Sequence, residues 1–200
     1  MSLFRRIRGV ATILFLLIAS LLIHEEGHLL ALRYNNLEVE YVSIGFPVKG
    51  VEATLWKDNN GTKYEVAPLL LGGATKPKDI QAFEDLRPTS KAVVYLAGIV
   101  FNFGLALASI FLYFLIKETR IKKISEILFL IRWTSFFNLV LGLANLLIVL
   151  PGLDGAKVLY LFLEPLTGNK TFWVELLIAV PMYFFVIEKL VPRLGKLYRF

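Results

Sequence analysis

The chain has 200 residues, 56% of them hydrophobic, no cysteine and a formal charge of +6. So apolar a composition excludes an ordinary soluble domain, and the missing cysteine excludes disulfides and thiolate metal sites. The positive charge implies no nucleic-acid partner, because basic residues flank apolar runs, where they anchor helices in anionic lipid headgroups.

The length fits one domain, taken as a single membrane domain over 1–200. The pattern predicts a mainly α polytopic membrane protein with about four transmembrane helices. The first runs over about 10–33. Val10 to Ile23 is uncharged and Leu29 to Leu32 is apolar again. At about 1.5 Å per residue this stretch reaches about 36 Å, enough to span with tilt. Arg5, Arg6 and Arg8 imitate the start of a signal peptide, but no small-residue cleavage site follows, so a retained helix is expected.

Inside this span lies His24-Glu25-Glu26-Gly27-His28, which holds both histidines of the chain. Positions i and i+4 share a helix face. Two neutral imidazoles so placed can hold one Zn²⁺, and the glutamate after the first can reach water at the metal. Four polar side chains beside a membrane run are costly to keep, which favours a site over a hydrated helix end.

Residues 34–77 change character. Leu37, Val39 and Tyr41 alternate with Glu38 and Glu40, and Val51 to Trp56 and Thr62 to Leu70 read as further strands. Lys57-Asp58-Asn59-Asn60-Gly61 between them is a turn signal, since Asn-Gly tolerates positive φ. A small antiparallel sheet over about 37–73 is predicted. Asp79 to Leu86 reads as a short amphipathic helix that Pro88 interrupts.

The second span is 92–116, without one charged residue. One face carries Gly98, Asn102, Ala106 and Ser109, suited to close packing. A short basic loop, 117–126, leads to the third span, 127–150. Its stripe of Ser135, Asn138, Gly142 and Asn145 reads as interhelical glue at Asn138. Pro151-Gly152 breaks that helix, Asp154-Gly155 follows, and a short amphipathic helix starts near Lys157 and ends near Pro165. The fourth span is 172–191, kinked at Pro181, before a basic aromatic tail.

Catalytic zinc keeps about three protein ligands and one open position. His24 and His28 supply two. Among the few carboxylates near apolar spans, Asp154 stands at a broken helix end and is the expected third. Glu25 is the expected base, because zinc acidifies bound water and a neighbouring carboxylate takes its proton. Glu26 lies about 100° further round the helix and reads as a polar partner.

In order along the chain, these motifs resemble the site-2 proteases, intramembrane zinc metalloproteases of peptidase family M50, most of all the bacterial branch that cleaves anti-sigma factors. His24-Glu25-Glu26-Gly27-His28 resembles its H-E-x-G-H. Ser43-Ile44-Gly45-Phe46 is similar to the strand after its first helix, and Leu70-Leu71-Gly72-Gly73 to the glycine pair closing its β region. Ala97-Gly98 with Asn102-Phe103 resembles G-P-x-x-N-F, while Asn145-Leu146-Leu147 and Pro151-Gly152-Leu153-Asp154-Gly155 resemble N-L-L and P-x-L-D-G. Ile99 stands where proline is usual, Ala156 replaces a second glycine, and Asn145 is one residue further from Asp154 than is typical. Family members often carry PDZ domains between the second and third core helices; here only 117–126 fills that place.

The resemblance implies that His24, His28 and Asp154 bind one zinc per chain, that Glu25 is the general base, and that Asn102 and Asn145 contact the substrate backbone or steady the site. It implies a multi-pass protein of the cell membrane, its active-site mouth towards the cytoplasm, that hydrolyses peptide bonds within or near the transmembrane helices of single-pass proteins in regulated intramembrane proteolysis. Two other readings compete. A di-iron site built on Glu25-x-x-His28 needs a second Glu-x-x-His, which two histidines cannot provide. A catalytically silent binding protein or chaperone for membrane helices would not need His24, Glu25, His28 and Asp154 intact.

Overall fold

The computed structural model describes residues 3–46, 53–67, 69–117, 124–147 and 152–167, with scattered single positions between 180 and 193. Helix α1 spans Leu3–Tyr34. It is followed by strands β1 (Val39–Phe46), β2 (Ala53–Lys57), β3 (Lys63–Val66) and β4 (Leu69–Pro77), and by the short helix α2 (Ile80–Glu84). Two long helices, α3 (Pro88–Ile116) and α4 (Ile124–Leu147), precede α5 (Asp154–Thr167). Among the described residues, three stretches are long and apolar enough to cross a membrane: Arg8–Tyr34, Pro88–Ile116 and Ile124–Leu147. They match the first three expected spans. The fourth, over 172–191, lies for the most part outside the described residues.

Each boundary has a local cause. Helix α1 stops at Asn35-Asn36. Asn36 takes φ 59°, its amide bonds to Arg33 O at 2.9 Å, and the Leu37 amide bonds to Leu32 O at 3.0 Å. This pair of back-bonds is the Schellman closure, in which a left-handed residue satisfies the last carbonyls. Leu37 then packs against the cluster that contains Leu32. Helix α3 starts at Pro88, whose missing amide is harmless at the first helical position. It therefore begins earlier than the uncharged run, and Lys91 joins it by pairing with Glu84 at 2.7 Å. Helix α5 starts at Asp154 itself, not near Lys157, and continues two residues past Pro165.

The sheet has the order β2-β3-β1-β4. The ladders β2–β3 and β1–β4 are antiparallel, but β1 and β3 pair parallel, with Val42 opposite Tyr64. This corrects the expectation of an all-antiparallel sheet. The tight turn at Asp58–Gly61 fixes β2 antiparallel to β3, with Gly61 at φ 81°. All of β2 is exposed, whereas β3 buries Tyr64. Burial therefore puts β3 inside, next to β1, and the turn then dictates its direction.

A core of Leu29, Leu32, Val39, Val42, Tyr64, Phe83 and Val94 joins α1, the sheet, α2 and α3. Each fully buried Leu or Val side chain contributes about 1.5–3 kcal/mol. This core fixes the sheet against the last turns of α1, where the two histidines lie. Helix α3 packs against α1, α4 and α5. Gly27 permits the closest crossing: a Cβ there would meet Ala97 O at 2.6 Å.

Candidate active site

His24 and His28 lie about 15 Å and 9 Å along α1 from its Tyr34 end. They therefore lie within the stretch Arg8–Tyr34 that is long and apolar enough to cross a membrane, towards its C-terminal end. Their rings meet edge-on, with centroids 4.8 Å apart, and their Nε2 atoms are 3.2 Å apart. Asp154 reaches them from the first turn of α5. Gly152, at φ 100°, reverses the chain before it. Gly155, after it, presses α5 onto the end of α4, where a Cβ would sit 2.4 Å from Leu146 O. Asp154 Oδ2 then lies 2.9 Å from His24 Nε2 and 3.0 Å from His28 Nε2. Its Oδ1 accepts from Lys157 Nζ at 3.0 Å.

The far nitrogens of both rings are engaged. His28 Nδ1 faces Val94 O at 2.7 Å, and a carbonyl can only accept, so the proton is on Nδ1. His24 Nδ1 faces Asn102 Oδ1 at 2.5 Å. With each ring neutral, as a metal ligand must be, and its proton on Nδ1, two Nε2 lone pairs and a carboxylate oxygen converge on one point. All three residues are at most 7% exposed. Buried acceptors so arranged repel unless a cation joins them. A tetrahedral zinc with bonds of about 2.0–2.1 Å separates its ligands by about 3.3 Å. The observed separations are within a few tenths of an ångström of that, so the donor set fits Zn²⁺. Among the described residues, His24, His28 and Asp154 form the one group of this kind.

Glu25 is only 4% exposed. The Thr75 hydroxyl on β4 lies 2.8 Å from Glu25 Oε2 and 3.1 Å from its backbone oxygen. Beside it, β4 comes so close that a Cβ on Gly73 would meet Glu25 Oε1 at 2.5 Å. On the other flank, a Cβ on Gly98 would meet His28 Nε2 at 2.6 Å and His24 Cε1 at 2.7 Å. Glycine is needed at both places for space rather than for backbone freedom. Glu26 turns away to the sheet and hydrogen-bonds Tyr64. Burial first, and then that carboxylate, hold the Tyr64 phenol far above its usual range.

A cavity of about 530 Å³ opens over this group. Glu25, Gly73 and Thr75 line one side, and Tyr95, Asn145 and Lys157 the other. The two asparagines differ in placement. Asn145 borders the cavity, with Nδ2 bonded to Leu141 O at 3.1 Å on its own helix. Asn102 is 0% exposed and lies behind His24. Sequence reasoning missed Thr75 and Lys157. A threonine in a strand carries no signal of its own, but its place two residues after Gly72-Gly73 puts it on the same face as Gly73. Lys157 stands one turn after Asp154, a spacing that could have flagged it.

The model of peptidase family M50 matches residues 12–126. A Campylobacter jejuni protein named as a candidate zinc metalloprotease is 34% identical over 136 residues, which is 61% of this chain and 34% of that protein. The protease RseP of Yersinia pestis is 30% identical over 115 residues, 51% of this chain and 24% of that protein. A similarly named candidate metalloprotease of Rhizobium meliloti is 29% identical over 120 residues, 50% of this chain and 31% of that protein. The chain thus spans between about a quarter and a third of the length of the curated relatives it matches.

Proposed function

Because the chain belongs to peptidase family M50, we propose that it is a zinc metalloendopeptidase that hydrolyses peptide bonds within or next to transmembrane helices. Its substrates are single-pass membrane proteins, and its setting is regulated intramembrane proteolysis as a multi-pass protein of the cell membrane. Residues 1–200 act as one membrane domain. The observation that carries this reading is the meeting of His24, His28 and Asp154 beside Glu25, at the floor of a cavity some 9–15 Å inside a membrane-spanning helix.

His24 and His28 through Nε2, and Asp154 through Oδ2, hold the metal. Bound zinc polarises the scissile carbonyl and acidifies water. Glu25 takes a proton from the attacking water as its oxygen bonds to the carbonyl carbon. It returns that proton to the amide nitrogen as the C–N bond breaks, leaving a carboxylic acid and an amine, and the acid's remaining proton passes to the amine to give carboxylate and ammonium. Thr75 and the β4 backbone at Gly73 fix where the Glu25 carboxylate points. Asn145, at the cavity wall, is placed to bind the extended substrate backbone, and Asn102 to steady His24.

The test uses the full chain purified in detergent with a synthetic transmembrane peptide, with zinc content measured alongside. Glu25→Gln should keep about one zinc per chain while cleavage falls by about 10²–10⁴-fold. His28→Ala should lose the zinc. Near-normal cleavage by Glu25→Gln, or undiminished zinc in folded His28→Ala, would overturn the assignment. Zinc binding without any cleavage by the unaltered protein would favour a helix-binding role.

A further inference from the structure

Behind His24, on the side away from the cavity, a run of buried polar groups crosses three membrane helices. Asn102 Nδ2 on α3 donates to Asn138 Oδ1 on α4 at 2.8 Å and to Ser20 O on α1 at 3.3 Å. Asn138 Nδ2 donates to Ser20 Oγ at 2.8 Å and to Thr134 O at 2.9 Å. The Ser20 hydroxyl donates to Leu16 O at 2.8 Å. Ser20, Asn102 and Asn138 are 1%, 0% and 0% exposed.

The direction of this run is forced. Its far ends are backbone carbonyls, and carbonyls only accept. Thr134 O can only accept, and Ser20 Oγ, its proton spent on Leu16 O, can only accept from Asn138. The amide NH₂ of Asn138 must therefore face them, which turns its oxygen to Asn102. Asn102 must answer with its own NH₂, which also reaches Ser20 O, and so turns its oxygen to His24. An oxygen facing Nδ1 requires a proton there, and the neutral ring then presents the Nε2 lone pair to Asp154 and His28. Flipping either amide would set carbonyl against acceptor among side chains that are at most 1% exposed.

We propose that Asn138 and Ser20 are positioning residues of the metal site: acting through Asn102, they lock His24 in the Nδ1–H tautomer and in the ring orientation that zinc requires. This rests on the reading of His24 as a zinc ligand. It differs from interhelical glue, which would stabilise the helix bundle but leave the His24 tautomer untouched. His28 needs no such relay, because the Val94 carbonyl fixes its tautomer directly. Partners of metal-binding histidines set affinity as well as orientation.

The experiment uses the full chain in detergent, with two readouts: zinc affinity by chelator competition, and the ring ¹⁵N signals of labelled histidine in the zinc-free protein. The variants are Asn138→Leu, Asn138→Asp and Ser20→Ala. Asn138→Leu should weaken zinc about 10–100-fold and give His24 a mixture of tautomers. Asn138→Asp, which as a buried neutral acid donates its O–H to Thr134 O and accepts from Asn102 through its carbonyl oxygen, should retain both the affinity and the Nδ1–H signal. Ser20→Ala, which keeps the backbone and removes one acceptor, should show a smaller loss in the same direction. If Asn138→Leu or Ser20→Ala folds with unchanged zinc affinity and a pure Nδ1–H His24, the relay is only structural and the proposal fails. Should Asn138→Leu fail to fold, Ser20→Ala and Asn138→Asp still decide it. The tautomer signal judges the relay without zinc, whereas loss or retention of zinc in His24→Ala judges the underlying metal assignment.

Discussion

A carboxylate works as a base only while its oxygen points at the water it deprotonates. Glu25 has two restraints on that aim: the Thr75 hydroxyl at 2.8 Å and the bare backbone of Gly73. A hydrogen bond to a charged group is worth about 1.5–3 kcal/mol, and each 1.36 kcal/mol is about tenfold in rate. Thr75→Val, which keeps the shape and removes the donor, should therefore lower kcat about 10–100-fold, with little change in KM or zinc content. Thr75→Ser should restore most of the rate. A fall confined to KM, or no rescue by serine, would make Thr75 a packing residue. The contrast between Thr75 and the ligands explains what sequence alone could reveal. His24, Glu25, His28 and Asp154 stood out because ionisable groups beside apolar spans need a reason to be there. A hydroxyl on a half-exposed strand needs none. Asn102 and Asn138 occupied equivalent stripes on α3 and α4, and periodicity showed that both faced inward. Only the hydrogen bonds reveal that one touches His24 and the other stands behind it.

At the scale of elements, the first three apolar spans and the Asp58–Gly61 turn were legible because they follow from local pattern. The strand order was not, because it depends on which strand is buried. That order bears on function. The exposed strand β2 and the strand β4 beside Glu25 are opposite edges of the sheet, about 14 Å apart at about 4.8 Å per strand. Under the proposed function, an extended substrate near Glu25 adds to β4, the sheet edge beside Glu25 among the described residues, gaining main-chain hydrogen bonds with little demand on sequence. Along β4 the amides alternate between β1 and the free edge. Proline placed in turn from Gly73 to Lys76, where the β1–β4 register is regular, should thus give two alternating outcomes: lost folding where the amide served β1, and folded protein with impaired cleavage where it faced outward. Proline at outward-facing positions of β2 should leave cleavage near normal; the reverse pattern would move substrate pairing to β2. The sheet is tied to α1 by Arg33, which donates to Asp58 and, at 2.9 Å, to Thr62 Oγ1. Slight burial pushes the Asp58 carboxyl up, but the Arg33 guanidinium and the amides of Thr62 and Asn60 outweigh it and hold it below its usual value of 3.8. A lowered carboxyl stabilises the fold above its unfolded value and loses that contribution as pH falls through the folded one. Hydrogen-exchange protection at Thr62 should accordingly be level from neutral pH to about 4 and drop below it, and Asp58→Ala, which removes the oxygen that accepts from the Thr62 amide, should already lack it at neutral pH. Protection unchanged in that variant would mean that Gly61 and the β2–β3 ladder hold the turn unaided.

For the molecule as a whole, the decisive fact is depth. The site lies about 9–15 Å along α1 from its Tyr34 end, within a stretch long and apolar enough to cross a membrane, under a cavity that the sheet borders on one side and α4 and α5 on the other. Under the proposed function, a substrate helix arriving there still hides each peptide bond in an i→i−4 hydrogen bond, so it must unwind before Glu25 and the metal can act on a carbonyl. Unwinding costs less where helix propensity is low: glycine weakens a helix by about 1 kcal/mol relative to alanine, and proline by about 3 kcal/mol. The edge of β4 offers the released backbone new partners whatever its side chains. Selection should therefore follow substrate helix stability more than any residue motif. In a panel of transmembrane peptides of equal length and hydrophobicity, one glycine near the scissile bond should raise kcat/KM by about fivefold, since about 1 kcal/mol separates the two states. Proline one turn away should raise it further, and an all-alanine or all-leucine segment should be the poorest substrate. The Thr75→Val enzyme should preserve this ranking at a lower overall rate, because Thr75 acts on the base and not on the unwinding. Rates that ignore helicity and instead track one side chain at a fixed distance from the cut would show that a pocket, not the unwinding of the helix, chooses the substrate.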